Sequence, residues 1–360
     1  MEILRVNGSH FECGSQVGKA YKVGLHILLN WSQTLLPDNT TWDQYVQAAA
    51  SNYLAPTQQN FPFLVQQIQG IAEGAGIPFE KLFPLFVDEL DDDNVLGTTR
   101  KFERCTDVVV ATPTISIAHN NDLTPMHTKL VSGVLWQTPD AKVLTFGHAG
   151  LPSIGVGKRN GSSNIIVLSG DEVENTDTKN RGLPRYLAAW GILYSDSVKE
   201  ALHIATHPDR ASSYRNIIAV KDSALIVEAS ATAHRIITTD DNSRFAFTNH
   251  FTHPHMVQFD RDPHHVGSNS RLKRGRELVS KINTTQDLPD QLKKIMRDHG
   301  EGTSHSKSTN MTICKEDLGM DVATNFSTIF SFSLNGDLVV EALVGIPCQN
   351  EYHEVYRFVN

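Results

Sequence analysis

The sequence contains only four cysteines in 360 residues, and Cys13, Cys105, Cys314 and Cys348 are far apart. No pair has the Cys-x-x-Cys spacing of a zinc site or a redox motif. No apolar run approaches the ~18 residues needed to cross a membrane, and the first residues lack the profile of a secretory signal. These absences argue against a disulfide-stapled scaffold. They predict a cytoplasmic protein with free thiols and no membrane partner.

Basic charge is also scarce. Lys and Arg number 32 against 40 for Asp and Glu, which gives a net charge of −8 at pH 7. We therefore expect neither nucleic acid nor an anionic membrane surface as a partner. The composition, 40% hydrophobic and 20% charged, is that of an ordinary globular chain, and we take residues 1–360 as one folded unit.

Signatures of several common enzyme classes are missing. The sequence has no G-x-S-x-G elbow, no P-loop and no H-E-x-x-H motif. Glycines at 155, 157 and 161 resemble a dinucleotide loop, but their spacing is wrong, and we predict a plain turn. Five histidines at positions 250–265 fall in a proline-containing loop without helical i, i+4 spacing, so we predict no metal site and no cofactor.

The pattern of apolar residues divides the chain near residue 104. The first part is mainly helical, with apolar residues three and four apart over 17–36 and 61–71, and it ends in an exposed connection at 91–104. Short β-branched strands follow in two groups, separated by helical blocks at 183–205 and 270–297. Because the strands form hairpins and not β-α-β units, we predict an α+β fold of two antiparallel sheets covered by helices.

Cys105 is the candidate nucleophile, although a cysteine in a strand is often only a small apolar filler. It follows the charged linker 100–104 at the start of a predicted strand, and a neighbouring strand brings in His119-Asn-Asn-Asp122. This is the arrangement of an N-terminal nucleophile enzyme, whose chain is cut just before the nucleophile. The freed α-amine, with an ordinary pKa of ~7.7–8.0, then serves as base for its own thiol, and no histidine is required.

Nine short motifs spread along the chain point in one direction. They are F-E-x-G-x-x-x-G at 11–18, G-x-A-x-G-A at 70–75, C-T at 105–106, N-x-D at 120–122, G-x-P at 182–184, T-N-H at 248–250, S-x-x-R-x-x-R at 268–274, T-I-C at 312–314 and P-C-x-x-E-Y at 347–352. In this order they resemble the family of isopenicillin N acyltransferase (acyl-CoA:6-aminopenicillanic-acid acyltransferase), whose members are self-cleaving cysteine amidases.

The resemblance implies an N-terminal nucleophile (αββα) sandwich and autocatalytic cleavage between Arg104 and Cys105. The products would be a mainly helical fragment, 1–104, and a catalytic fragment, 105–360, that stay associated. Arg104 departs from the family pattern because glycine is common before the nucleophile. A bulky residue relaxes less easily into strained backbone, so we expect slower cleavage.

The resemblance also assigns roles to four other residues. Asp122 would orient the cut site and the free amine, and Asn249 would offer its side-chain amide to the oxyanion. Arg271 and Thr312 would bind substrate. From the residues alone, a purely structural role stays open for three of these residues: Asp122 as a turn residue, Asn249 as a strand-end cap and Arg271 as a solvated helix residue. Thr312 replaces a serine of the family, and Lys315 replaces an arginine.

The function implied is an amidohydrolase or N-acyltransferase that acts on a small N-acyl amide or an acyl-CoA through a Cys105 thioester. Segment 83–90 resembles the animal branch of the family, which hydrolyses β-alanyl amines of dopamine and histamine. Two alternatives stay open. One is an unprocessed Cys–His hydrolase with His148 or His250 as base, and the other is a non-catalytic relative, supported only by Arg104.

Overall fold

The computed structural model describes residues 1–92, 94–97, 104–261, 266–284, 286–300, 311–316 and 322–360. Its strands are β1 (Ile3–Asn7), β2 (Arg104–Ala111), β3 (Ile115–Leu123), β4 (Val131–Gln137), β5 (Ala141–His148), β6 (Leu151–Arg159), β7 (Ile166–Asp171), β8 (Arg215–Val220), β9 (Ser223–Ala229), β10 (His234–Thr238), β11 (Arg244–Phe247), β12 (Ala323–Phe332), β13 (Leu338–Val344) and β14 (His353–Phe358). Its α-helices are α1 (His10–Ala20), α2 (Lys22–Thr34), α3 (Trp42–Asn52), α4 (Leu54–Asn60), α5 (Pro62–Ala75), α6 (Phe79–Leu82), α7 (Arg185–Ile192), α8 (Val198–Ala205), α9 (Val266–Ser280) and α10 (Leu288–Met296). Residues 98–103 of the predicted connection, Asp93, His264 and His265 lie outside the described residues.

The strands form two stacked sheets. One has the order β1-β4-β5-β6-β7-β8-β9-β10, and the other has the order β11-β2-β3-β12-β13-β14. Among the described strands, β1 and β4 pair in parallel and the other neighbours are antiparallel. Side chains such as Phe146 and Phe330 fill the space between the sheets.

Helices cover both outer faces. The first eight helices pack on the eight-stranded sheet around Trp136 and Trp190, and α9 and α10 pack on the six-stranded sheet through Leu272 and Leu292. The predicted α+β sandwich of two antiparallel sheets covered by helices is confirmed. Within the part of the chain that is described, no helix has the length and apolar character to cross a bilayer.

Two glycine-containing motifs form one helix–helix contact. Gly14 and Gly18 of α1 interlock with Gly70 and Gly74 of α5, and a Cβ at any of the four would overlap a backbone oxygen of the other helix. Helix backbones approach this closely only where side chains are absent. Gly76 then ends α5 in the left-handed conformation, with φ 69°, as the glycine-rich sequence predicts.

The prediction of a plain turn at 155–161 is wrong for its first part. Gly155 and Gly157 lie within β6, and only Asn160 and Gly161 form a turn. A Cβ at Gly157 would overlap the backbone oxygen of Leu193, just after α7. The glycines therefore permit a close approach of helix and sheet. This packing explains their spacing, although they do not form a loop.

The long predicted helical blocks are interrupted, and the first and last strands of the chain, β1 and β14, were not predicted. The block at 183–205 is two helices because Ser197 caps α8 by accepting from the backbone N–H of Glu200. The block at 270–297 is also two helices, since Asp287 caps α10 and Pro289 lies in its first turn.

Candidate active site

Cys105 is the second residue of β2 and lines a cavity with a volume of about 140 Å³, which is bordered by strands of both sheets and by α2, α3 and α7. Its side chain is 4% exposed. The β2–β3 register places it directly opposite Asn121, and opposite residues share one face of a sheet. The Asn121 Nδ2 atom accordingly lies 3.8 Å from the Cys105 Sγ atom.

The backbone nitrogen of Cys105 donates a hydrogen bond to Asn249 Oδ1 at 2.9 Å. Because a backbone N–H can only donate, the oxygen of the Asn249 side chain must face Cys105. Its Nδ2 atom donates to the backbone oxygen of Glu172 at 3.0 Å. Asn249 reaches this position because it follows β11, whose last residue, Phe247, pairs with Asp107 of β2.

Arg271 of α9 is tied to the backbone of the nucleophile. Its Nη1 atom donates to the Cys105 backbone oxygen. The same atom donates to Thr106 Oγ1 at 2.8 Å, and the Nη2 atom donates to Asn249 Oδ1 at 2.8 Å. Arg271 is only 1% exposed, so the alternative that it is a solvated helix residue is wrong. Burial lowers the pKa of Arg271, although Asp122 opposes this effect.

Asp122 lies opposite Arg104, so its side chain is on the other face of the sheet from the Cys105 thiol. It forms a buried ion pair with Lys315 Nζ and accepts a hydrogen bond from Thr324 Oγ1 at 2.7 Å. Asp122 is therefore a strand residue within β3, and the turn alternative is wrong. Burial and the neighbouring Arg271 lower the pKa of Lys315 to about 7.

Thr312 lies in the described segment 311–316, beside Cys314, and is buried. Its Oγ1 atom donates to the backbone oxygen of Cys314 at 2.7 Å. Its role in substrate binding stays a prediction.

A second polar group on the face of Cys105 was missed by the sequence analysis. His119 lies opposite Asp107, and its Nδ1 atom is 3.1 Å from Asp107 Oδ2. Burial disfavours the imidazolium, but the carboxylate of Asp107 outweighs it and raises the pKa of His119. The Nε2 atom of His119 is buried without a hydrogen-bond partner among the described residues. The signal in the sequence would have been a hairpin centred on Pro113. Such a hairpin pairs residue 105 with 121 and residue 107 with 119, and so brings His119 to the face of Cys105.

The two histidines considered as bases lie in different surroundings. His148 lines the same cavity as Cys105. His250 is buried, and its Nδ1 atom lies 2.7 Å from Ser268 Oγ; it is not among the described residues that line the cavity.

The cavity walls are acidic and aromatic. Its carboxylates are Asp88, Asp91, Asp171 and Glu172, and its larger aromatic side chains are Trp31, Trp42, Tyr45, Tyr186, Trp190 and Tyr214. No lysine or arginine is among the described lining residues. Three of these carboxylates are already paired with arginines: Asp88 and Glu172 with Arg185, and Asp171 with Arg215. The aromatic faces are therefore the part of the wall that suits a small ligand with a positive charge.

The comparison with known families agrees with this fold. The sequence profile of the acyl-coenzyme A:6-aminopenicillanic acid acyl-transferase family matches residues 113–321, which is more than half of the chain, and the chain belongs to this family. The resemblance seen in the sequence is confirmed. The matched region begins after β2, so Cys105 itself lies outside it.

A more particular relative is a protein of Drosophila melanogaster, the beta-alanyl-dopamine/carcinine hydrolase. It is 29% identical over a stretch that covers 24% of this chain and 23% of the relative. The match thus spans less than a quarter of that protein's length. Both names describe hydrolase or acyltransferase chemistry.

Proposed function

We propose that this protein is a cysteine N-terminal nucleophile amidohydrolase or acyltransferase that works through a Cys105 thioester. One observation carries the proposal. The backbone nitrogen that cleavage would turn into an α-amine is held at 2.9 Å by Asn249 Oδ1, while the thiol of the same residue lines the cavity.

The first step is self-cleavage. The Cys105 thiol attacks the carbonyl carbon of Arg104, the Arg104–Cys105 C–N bond breaks, and the nitrogen takes up the proton that the thiol loses. Water then hydrolyses the thioester, which releases the Arg104 carboxylate and regenerates the thiol beside a free α-amine. The Lys315–Asp122 ion pair lies opposite Arg104 and would orient the backbone of the cut site.

The fragments 1–104 and 105–360 would stay together after cleavage. The strand β1 belongs to the first fragment and pairs with β4 of the second, from Ile3↔Gly133 to Asn7↔Gln137. Helices of the first fragment share one buried core with α7 and α8 of the second. Separating them would expose this apolar surface to water.

In turnover, the α-amine takes the proton of the Cys105 thiol, and the thiolate attacks the acyl carbon of the substrate. The leaving amine receives the proton, and a thioester remains. Asn249 holds the α-amine, and Arg271 fixes both Asn249 and the Cys105 carbonyl. Because Asn249 Nδ2 already donates to Glu172, Asn121 Nδ2 is the better placed donor for the oxyanion.

For the substrate, we infer a small N-acyl amide with a cationic group. The aromatic cavity wall supports a charged amine, and the name of the Drosophila relative gives beta-alanyl-dopamine as a substrate, whose β-alanyl amine is positively charged at neutral pH. Water as acceptor gives hydrolysis. A second amine gives acyl transfer, for which an acyl-CoA donor is the alternative that the family name supports.

A second arrangement is favoured by one observation. His119, oriented by Asp107, lines the cavity together with Cys105 and could serve as the base of an unprocessed Cys–His hydrolase. As the candidate base of such a hydrolase, His119 replaces His250, whose imidazole bonds Ser268. His148 remains a candidate as well.

Intact-mass analysis separates the two. We expect wild-type protein to give two fragments with Cys105 at a new N-terminus, and Cys105→Ala to stay one inactive chain. Activity should rise with pH through an apparent pKa between about 6.5 and 8, and acylation of the new α-amine should abolish it. An uncut wild-type chain with full activity, or normal cleavage of Cys105→Ala, would contradict the proposal.

A further inference from the structure

Two cysteines that are far apart in the sequence meet on the far side of the six-stranded sheet. Cys314 lies in segment 311–316, and Cys348 lies between β13 and β14. His299 follows α10. The ligand atoms of these three residues all lie within 4.8 Å of one another.

A carboxylate lies beside Cys348 at the edge of this group. Glu316 Oε1 lies 3.5 Å from Cys348 Sγ and is itself held by Gln349 Nε2 at 3.1 Å. Both Cys314 and Glu316 are buried, and His299 and Cys348 are half-buried. A half-buried rim leaves a path for an ion to enter.

The surrounding backbone holds the ligand residues in place. The Cys314 backbone N–H donates to the Asp298 carbonyl at 3.1 Å, which fixes the cysteine beside His299. The Arg297 Nε atom donates to the Pro347 carbonyl at 2.9 Å, which fixes the residue before Cys348. The site is thus positioned by hydrogen bonds that do not involve the ligand atoms.

We propose that His299, Cys314 and Cys348 bind one zinc ion, and that the neighbouring Glu316 turns toward the ion as the fourth ligand of a tetrahedral site. Two thiolates, an imidazole and a carboxylate are a donor set that suits zinc among the common divalent ions. Zinc–ligand bonds of about 2.0–2.3 Å place tetrahedral donor atoms about 3.3–3.8 Å apart, so the donor atoms of His299, Cys314 and Cys348, all within 4.8 Å of one another, need only a small contraction. Binding would release the thiol protons.

The ion would fasten the segment that carries Lys315. This residue lies between two of the ligands and pairs with Asp122 opposite the proposed cut site. The zinc would therefore stabilise the sheet face behind the nucleophile without touching substrate.

The experiment measures metal in the full chain, without a polyhistidine tag and reduced before analysis. We expect one zinc per chain by elemental mass spectrometry. After chelation, one Co²⁺ should bind and give the thiolate-to-cobalt absorption of a tetrahedral site. Cys348→Ser and His299→Gln should both lose the stoichiometric zinc and this absorption.

Two variants serve as controls. Cys13→Ala removes a thiol distant from the site, and His255→Gln removes an exposed histidine; both should bind metal like the wild type. Zinc should also raise the melting temperature of the wild type but not that of Cys348→Ser. The proposal is overturned if the reduced wild type takes up no more zinc or cobalt than Cys348→Ser. This result does not depend on cleavage or amidase activity.

Discussion

Asn249 is placed to serve both the precursor and the cleaved enzyme that we propose. Its Oδ1 atom accepts from the Cys105 backbone N–H and would accept from the α-amine at the same place. This geometry leaves the lone pair of the amine free to point toward the neighbouring thiol. The role is that of a positioning residue, which differs from the oxyanion role that the family resemblance implies.

We predict that Asn249→Ala lowers kcat by about 10²-fold in cleaved protein, since misplacing a reacting group by ~1 Å has an effect of this size. His250→Ala should be much milder, because His250 bonds Ser268 and is not among the described residues that line the cavity with Cys105. Steady-state kinetics on cleaved protein, separated from uncut chain, checks both. If His250→Ala proves as damaging as Cys105→Ala while Asn249→Ala resembles wild type, an imidazole is the base.

His119 provides the second test at this scale. If the α-amine is the base, His119→Gln should retain cleavage and lower activity by less than about 10-fold, because the imidazole only lines the cavity. The matched change His148→Gln should have a similar effect. A loss by His119→Gln of about 10³-fold or more, with the pH profile flattened, would assign the base to the His119–Asp107 pair.

At the scale of the helices, the α1–α5 contact depends on the absence of side chains. We predict that Gly18→Ala destabilises the fold by about 1–3 kcal/mol, since the added Cβ overlaps the backbone of α5 and forces the helices apart. Gly24→Ala in α2 is the control, because its Cβ would approach the Ala149 Cβ at 3.0 Å and Leu130 Cδ2 at 3.4 Å without overlapping a backbone oxygen. Urea unfolding measures both. A Gly18→Ala variant as stable as Gly24→Ala would show that the helices can separate without cost.

At the scale of the whole molecule, buried charge between the sheets makes stability depend on pH. Burial and the neighbouring Asp107 raise the pKa of Asp171 to about 7, although Arg215 and His119 oppose this. The ordinary value in an unfolded chain is about 3.9. Between these two values the folded protein binds more protons than the unfolded chain, so this group lowers stability as pH rises from about 4 to 7.

We predict that Asp171→Asn removes this dependence. The free energy of unfolding of the variant should therefore increase relative to that of the wild type as pH rises from about 4 to 7. The asparagine side chain still offers an oxygen that can accept a hydrogen bond from Arg215, and Arg215 also remains paired with Glu228 at 3.0 Å. Urea unfolding at several pH values measures the difference, with the exposed Asp209→Asn as control. Parallel curves for Asp171→Asn and wild type would contradict the assigned pKa.

The sequence by itself determined most of the order of helices and strands, the two-sheet architecture and the family, because periodicity and short motifs are local properties. It also singled out Cys105, Asp122, Asn249 and Arg271 through the family resemblance. The cytoplasmic location and the division into fragments remain predictions of the sequence.

Only the tertiary structure decided which of these side chains meet. Strand pairing put Asn121 beside the Cys105 thiol and turned Asp122 to the opposite face, which depends on a register that local patterns leave open. The same packing brought Cys314 and Cys348 together from different segments, where spacing along the chain had predicted no metal site. Chemistry in this protein arises from contacts across the sheets, and such contacts are set by the packing of the whole chain.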